Sequence, residues 1–252
     1  MAFIPSQYPF IPAQMIPTKA VSGRNGTLRW PGRTYKPTHY KGVLYLLGKE
    51  TEPISTEEML RRMTDIAAWL CGRDRRGRLI LDAVPDRYYV AEVDSEALLT
   101  DNDWMNGQAA ISFTCQPFAR AIRESREMFD TAANTAKKAT ISVGGNAQTL
   151  LAFHVTNETS SVMNTMQIEA PDTAFVFAGL GLDAGETLHG SYTEDDLLRL
   201  AIEGVDGSRR SAMPMRQVSS DDDLLLCPGR NSVTVKTQTA CSVILEARGR
   251  WM

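Results

Sequence analysis

The sequence has few of the residues and segments that mark metal-binding, membrane and nucleic-acid-binding proteins. Its four cysteines in 252 residues are widely spaced, without a CxxC pair, so they form neither a zinc signature nor a small disulfide framework. No run approaches the roughly 18 to 20 apolar residues of a membrane helix. The formal net charge is -3 and the basic residues form no long tract, which argues against a protein that neutralises many phosphates.

Catalytic motifs are also missing. No GxSxG, HExxH or GxxxxGK[ST] pattern occurs. AGLGLDAGE spaces its glycines as GxGxxxG, which favours a β-turn over a dinucleotide loop. The histidines number three: His39, His154 and His189. We therefore predict that the chain is not an enzyme and has no catalytic, cofactor-binding or metal-binding residues and no cofactor.

Acidic and aromatic residues are the remaining side chains that could bind a cation or a sugar. The acidic run 221–223 is predicted to be a solvated loop, because calcium sites space their oxygens at alternate positions and include a turn glycine. Trp69 is predicted to lie in the core and Trp251 to pack against the edge of a sheet. The second half holds few other aromatic residues that could stack on a sugar: Phe153, Phe175, Phe177 and Tyr192.

The N-terminal segment, residues 1–17, carries four prolines and no basic region ahead of an apolar one. Prolines at this density favour an extended arm over a helix, and a signal peptide is not expected.

The first half of the chain predicts strands around one helix. VLYLL (43–47) is typical of a buried strand. Ser55 and Glu58 form a capping-box pattern at the start of a helix over 56–71. LILDAVPDRYYVAEV indicates two strands joined at a Pro-Asp turn, and AISFTCQPF alternates as a half-buried strand. The helix is expected to pack on this sheet through a stripe at helical spacing: Met59, Met63, Ile66 and Leu70.

Beyond residue 138 the pattern changes. Residues 119–138 are polar, rich in alanine and weakly patterned, which is typical of a linker with one helical turn. The runs that follow are short and β-rich, separated by turn residues, and predict an all-β sandwich or barrel. LLRLAIEG fits either a helix or a strand. The predicted organisation is an arm (1–17), a first β domain (18–125), a linker (126–138) and a sandwich domain (139–252).

The order of these pieces resembles the distal tail protein (Dit) family of long-tailed phages. VSGRNGTL is similar to a turn near the start of the family, and AAWLCG to the end of its helix. LILDAVPDRYYVAEV and AISFTCQPF resemble its strand–Pro-Asp–Tyr-Tyr segment and its closing strand. SSDDDLLLCPGRNSVTVK and RGRW resemble patterns near the C-terminus. The resemblance spans nearly the whole chain in the same order.

This resemblance implies a mainly β protein with one helix, in which a tail-tube-like domain forms a ring and a galectin-like β-sandwich faces outward. It implies a homohexameric hub ring at the distal end of the phage tail, assembled in the bacterial host cytoplasm, with DNA passing through its lumen. The implied partners are the tail tube protein, the tail-associated lysin or tip protein, the tape-measure protein and, in some members, receptor-binding proteins, with no membrane insertion. Ring formation suits a β-rich chain, because closure removes exposed strand edges.

Two contacts are hypothesised on this basis. The loop Thr100–Gly107, with Trp104 and Met105, reaches a neighbouring subunit, and the proline-rich arm docks on an adjacent ring.

Other functions remain open. One is a lectin-like module for host-wall sugars, which predicts aromatic and polar side chains converging on one sheet face. Another is a different tube or hub ring protein of a tail-like machine, which would differ mainly in its neighbours. A tail-tip hydrolase is disfavoured because no catalytic motif is present.

Overall fold

The computed structural model describes residues 2–7, 12–15, 18–20, 27–29, 34–45, 55–70, 76–94 and 107–252. The chain divides into two compact units, Met1–Ala119 and Arg120–Trp251. The prediction of a mainly β fold with one helix is confirmed in these residues. None of the described helices is long and apolar enough to cross a membrane.

The first unit is an antiparallel sheet with one helix. Its elements are β1 (Ala2–Gln7), β2 (Gln14–Met15), β3 (Thr18–Ala20), β4 (Thr27–Arg29), β5 (Thr34–Tyr35), β6 (Thr38–Tyr45), α1 (Thr56–Leu70), β7 (Arg76–Leu79), β8 (Arg87–Val93) and β9 (Gln108–Cys115). Neighbouring strands of the sheet follow the order β1-β6-β9-β8-β7. Two small pairs, β2 with β5 and β3 with β4, lie outside it.

Helix α1 packs on this sheet as the apolar stripe predicts. Met59, Met63 and Ile66 contact a cluster that includes Leu44 and Ile111 of the sheet. At the start of the helix, the Glu58 amide donates to Ser55 Oγ at 3.2 Å. The carboxylate of Glu58 does not close the capping box, because it accepts hydrogen bonds from two arginines of the next turn.

The prediction for Trp69 is wrong. It was expected in the core, but it is 68% exposed. A helix buries only the stripe that faces its neighbour, and Trp69 lies outside the stripe that contacts the sheet. Of the other first-half predictions, residues 21–26 of the VSGRNGTL turn, the last predicted helix residue, Cys71, and most of the loop Thr100–Gly107 lie outside the described residues.

The N-terminal segment is extended, as the prolines predict, but its described residues do not form a free arm. Strand β1 pairs with β6 along the edge of the sheet, and β2 pairs with β5. A side chain at Gly42 would come within 2.4 Å of the Ile4 carbonyl oxygen and 2.6 Å of the Phe3 ring. Glycine at this position therefore allows β1 to lie against β6.

The second unit is a sandwich of two antiparallel sheets. The elements of this part of the chain are β10 (Ala119–Ala121), β11 (Ser125–Thr131), β12 (Ala136–Val143), β13 (Thr149–Asn157), β14 (Met163–Glu169), β15 (Ala174–Leu182), β16 (Thr187–Tyr192), β17 (Leu198–Glu203), β18 (Arg209–Ser211), the 3-10 helix η1 (Met213–Met215), β19 (Leu225–Leu226), β20 (Gly229–Thr237), β21 (Cys241–Ala247) and β22 (Arg250–Trp251). The short strands β10 and β22 belong to neither sheet of the sandwich. One sheet, called here the large sheet, has the order β11-β21-β13-β16-β17-β18, and the small sheet has the order β12-β20-β14-β15. LLRLAIEG is therefore a strand, β17.

Alternation of side chains builds the core between the two sheets. In β13, Leu151, Phe153 and Val155 are completely buried, and the residues between them point outward. Phe153 meets Phe175 and Phe177 edge-on, with ring centroids 6.3 Å apart in both pairs. Edge-to-face contacts of this kind add to the stabilisation from burial alone.

The predicted linker, 126–138, is corrected by the structure. Residues 125–131 form β11, which pairs with β21 over seven residues, and β12 begins at Ala136 and pairs with β20. Both strands are polar on their outer faces and carry few apolar residues inward. Their sequence therefore has a weak strand signal, and pairing with neighbours that are distant in the chain determines their structure.

The side chain of Asn157 connects three turns of the sandwich through hydrogen bonds. It is completely buried, and its amide donates to the carbonyl oxygens of Ser161 and Leu182 at 2.8 and 2.9 Å. Its side-chain oxygen accepts from the Thr159 amide and from the Thr239 hydroxyl, both at 3.1 Å. All the capacity of this side chain is used, so its loss would leave several buried groups unpaired.

We predict that Asn157→Ala lowers the free energy of unfolding of the second unit by about 2 to 4 kcal/mol, because the groups that bind its side-chain amide and oxygen lose a buried hydrogen-bond partner. Hydrogen–deuterium exchange of the β13 amides measures this loss. The control is Asn164→Ala, because Asn164 is an exposed residue of the next strand along the chain, β14. This substitution should change the free energy of unfolding by less than about 0.5 kcal/mol. Equal effects of the two substitutions would contradict the assigned role.

We predict that Phe3→Ala lowers the stability of the first unit by about 1 to 2 kcal/mol, since the partly buried ring packs edge-on against Phe113 at 5.2 Å. The readout is hydrogen exchange of the β6 amides. Ile4→Ala is the matched control, since Ile4 lies on the same strand and is 55% exposed. If β1 served only to dock on an adjacent ring, Phe3→Ala would leave exchange in the single chain unchanged.

Glu186 and Arg210 form a two-pronged ion pair, with Arg210 nitrogens 2.6 and 2.7 Å from the two carboxylate oxygens. The pair, together with the Asp183 amide, lowers the pKa of Glu186. A lowered pKa stabilises the folded state above the unfolded value of roughly 4.3, and this stabilisation is lost as pH falls through the lowered pKa.

Glu186→Gln should therefore cost about 1 to 2 kcal/mol at pH 7, allowing for the partial exposure of Arg210. Below pH ~4 the difference between the variant and the parent should shrink. Urea unfolding followed by circular dichroism at several pH values measures both. A difference that stays constant with pH would show that the ion pair is not its source.

Candidate functional site

In the described part of the first unit, a histidine, an aspartate and two hydroxyl side chains form a cluster. His39 Nδ1 lies 3.0 Å from Asp94 Oδ2 and 3.2 Å from Thr114 Oγ1, and the Ser112 hydroxyl donates to the same Asp94 oxygen at 3.5 Å. In a catalytic triad the carboxylate and the nucleophile bind opposite nitrogens of the imidazole. Here both groups meet Nδ1, so His39 does not activate either hydroxyl through its other nitrogen.

The two remaining histidines meet on the outer face of the large sheet. His154 in β13 lies directly opposite His189 in β16, and their Nδ1 atoms are 2.6 Å apart. The other nitrogen of each ring faces a carboxylate. His154 Nε2 is 3.4 Å from Glu246 Oε2, and His189 Nε2 is 3.7 Å from Glu203 Oε2.

An arginine extends this arrangement at each end. Arg126 Nε lies 3.4 Å from Glu246, and a terminal nitrogen of Arg209 lies 2.6 Å from Glu203. The resulting line of side chains, called here the histidine row, crosses six neighbouring strands: Arg126, Glu246, His154, His189, Glu203 and Arg209. Burial lowers the pKa of His189, and the charge of a protonated His154 lowers it further. Two positively charged imidazoles at this distance repel, so the row disfavours a positive charge on both rings at once.

A cavity of about 290 Å³ adjoins the histidine row and is lined in part by His154 and Glu246. Arg120 and Arg250 both bind Asp196 Oδ1 at its wall, and Arg120 also donates to the Glu194 carbonyl at 2.7 Å. Burial lowers the pKa of Arg250. The lining has three arginines and three carboxylates: Arg120, Arg248, Arg250, Glu124, Asp196 and Glu246. These charges balance, so the cavity has no excess of charge with which to attract an ion.

A groove of about 230 Å³ lies over the small sheet and is rich in amide side chains, among them Asn134, Gln167, Gln217 and Gln238. Phe177 contributes to its lining but is only 1% exposed. Stacking on a sugar requires an exposed ring face. Tyr192 lines the other cavity, with its hydroxyl accepting from the Leu224 amide at 3.1 Å. The described second unit therefore offers no exposed aromatic platform in this groove.

The acidic run 221–223 is held in place more firmly than a solvated loop. Asp221 accepts from the Ala174 amide at 2.7 Å, and Arg216 donates to the carbonyls of Asp221 and Asp222. Burial raises the pKa of Asp223. These contacts cover part of β15. Among the described residues no group of three or more His, Cys, Asp or Glu side chains is arranged to hold a metal ion.

Helix α1 supplies the most exposed tryptophan among the described residues. Trp69 is 68% exposed and Leu60 on the same helix is 52% exposed. A large exposed aromatic side chain is typical of a protein–protein contact. Trp30, Trp104 and Met105 lie outside the described residues.

Local sequence patterns do not reveal the histidine row or the paired arginines on Asp196. Alternation in TLLAFHV indicates only that His154 points away from the core. The meeting of His154 with His189, and of Arg120 with Arg250 on one carboxylate, depends on strand pairing across 35 to 130 positions of chain, which local patterns do not encode.

No protein-family model and no curated protein sequence matches the chain. Among solved structures, the SPP1 Dit protein (gp 19.1) has a TM-score of 0.63 at 15% sequence identity, covering 99% of this chain and 94% of that one. Its description presents it as a paradigm of the hub adsorption apparatus in phages that infect Gram-positive bacteria.

Two structures of the phage p2 baseplate in its activated conformation, one with Sr and one with Ca, are also similar. Their TM-scores are 0.47 and 0.46, at 11% and 10% identity, covering 96% of this chain and 89% of those chains. The SPP1 match shows that the chain has the fold of a Dit protein across both of its units.

Proposed function

We propose that this protein is the hub ring of a phage tail tip, a structural component of the virion and not an enzyme. The observation that carries the proposal is the fold similarity to the SPP1 Dit protein, which covers 99% of this chain. The sequence motifs point the same way and occur in the same order, from the turn at 21–28 to the closing RGRW. A match over both units is more specific than a match of one β-sandwich, because sandwiches serve many functions.

In this proposal the first unit forms a homohexameric ring and the second unit, a galectin-like sandwich, faces outward. The edges of the sandwich support this division, because natural sheets protect an edge that stays unpaired. Edge strand β12 carries Lys137 and Lys138, and β18 has only three residues. Edge strand β15 accepts backbone bonds from Gln217 and Asp221. The sandwich therefore needs no partner strand there, whereas the first unit exposes Trp69.

The ring would join the tail tube protein above to the tail-associated lysin or tip protein below, with the tape-measure protein and receptor-binding proteins as further contacts. DNA would pass through its lumen without being bound. The net charge of -3 suits this passage, because DNA-binding surfaces gain affinity by neutralising phosphates with lysine and arginine. The ring would be assembled in the host cytoplasm and located at the distal end of the tail.

Two alternative functions are a lectin-like module and another tube or hub ring protein. A lectin-like module would use exposed aromatic faces, and the groove over the small sheet presents none, so this function is not proposed. Another tube or hub ring protein would differ from a Dit protein mainly in its neighbours, and the same ring experiment tests both.

We predict that the purified chain forms six-fold rings with six times the 27.9 kDa mass of one chain. Multi-angle light scattering across a range of concentrations and negative-stain imaging measure mass and symmetry. Trp69→Ala should raise the concentration at which the ring dissociates by tenfold or more. An exposed tryptophan contributes strongly to binding free energy when an interface buries it.

Leu197→Ala is the matched control, because Leu197 is a similarly exposed apolar residue, 64% exposed, in the second unit. It should leave the ring unchanged, and circular dichroism should show both variants folded. A chain that stays monomeric at every concentration and binds glycans on an array would overturn the hub proposal in favour of a lectin.

A further inference from the structure

The contact between His154 and His189 poses a problem of hydrogen-bond donors and acceptors. A neutral imidazole has one N–H and one lone pair. Each ring directs Nε2 toward a carboxylate, Glu246 for His154 and Glu203 for His189. At 3.4 Å the Glu246 carboxylate is within hydrogen-bond distance of His154 Nε2, which places the hydrogen of neutral His154 on Nε2 and leaves a lone pair on its Nδ1. Glu203, at 3.7 Å, is beyond hydrogen-bond distance of His189 Nε2 and does not fix the position of the His189 hydrogen. The two Nδ1 atoms face each other across 2.6 Å.

If the His189 hydrogen is also on Nε2, two lone pairs at this distance repel each other unless a positive centre lies between them. One such centre is a shared proton. Another is a metal cation, and the surroundings resemble those of metal-binding histidines, which usually donate their second N–H to a carboxylate. The two side chains are 27% and 28% exposed, so an ion can reach them from solvent.

We propose that His154 and His189 bind one transition-metal cation of the Zn²⁺ class between their Nδ1 atoms, with water completing the coordination. Nothing in the proposed hub function requires this site. Two Zn–N bonds of about 2.0 to 2.1 Å at a tetrahedral angle place the nitrogens roughly 3.4 Å apart. The rings therefore open by less than about 1 Å on binding, which small side-chain rotations supply.

The neighbouring charges determine which ions the site selects. The groups around the two rings are Glu246 of β21, Glu203 of β17, Arg126 of β11 and Arg209 of β18. Each carboxylate is paired with an arginine, so the row offers no net negative charge. Affinity then comes from the imidazoles, which suit Zn²⁺, Ni²⁺ and Cu²⁺, while Ca²⁺ and Mg²⁺ prefer oxygen ligands.

Protons compete with the metal for the same nitrogens. Binding is therefore expected to weaken as pH falls below the ordinary imidazole pKa of roughly 6.5.

The test is calorimetric titration of the full chain with ZnCl₂ at pH 7.5 and at pH 5.5. We expect one ion per chain at pH 7.5, at least tenfold weaker binding at pH 5.5, and no saturable binding of CaCl₂. His154→Gln and His189→Gln should each weaken Zn²⁺ binding tenfold or more. His39→Gln removes an exposed histidine that also contacts a carboxylate, and it should leave binding unchanged.

Circular dichroism checks that each variant is folded. Titration with Co²⁺ provides a second readout that needs no variant. Its visible spectrum should show nitrogen and oxygen ligands without the charge-transfer absorption of a thiolate, which excludes the cysteines as ligands. No saturable Zn²⁺ binding up to ~1 mM, binding that survives both histidine substitutions, or a thiolate spectrum would each overturn the proposal.

Discussion

The antiparallel pairing of β13 with β21 is the constraint on which the second unit depends. In this register Phe153 lies opposite Leu245 and both are completely buried. Residues between them, His154 and Glu246, face outward on the same two strands. A slip of one residue would turn the apolar set to the surface and the charged set inward. The pairing that builds the core therefore also places the histidine row.

Polar side chains connect the turns and loops of the sandwich, which lie outside its apolar core. Asn157 joins three turns, Glu186 holds Arg210, and Asp196 receives two arginines that lie 130 positions apart in the chain. A buried arginine is costly unless it is paired, and here the carboxylate meets that need twice. These contacts determine the conformation of loops whose sequences are polar and weakly patterned.

The two units suit different tasks in the proposed tail hub. Most edges of the sandwich are charged, short or covered, which suits the outward-facing position proposed for it. The first unit leaves Trp69 exposed on α1, which suits contact with another subunit. The described histidine, aspartate and hydroxyl group around His39 lacks the geometry of a triad. The proposed function is one of shape and contact, and the proposed cation site is independent of it.

Local patterns alone determined much of the fold, because side-chain period and turn chemistry act over a few residues. The stripe from Met59 to Leu70 predicted α1, and the short β-rich runs beyond residue 138, separated by turn residues, predicted the sandwich. Tertiary structure decided the rest. β11 has a polar sequence and is a strand because β21 pairs with it, and Trp69 is exposed because the sheet covers another face of its helix. His154 meets His189 only because the fold aligns β13 with β16, which is a choice of register between segments distant in the chain.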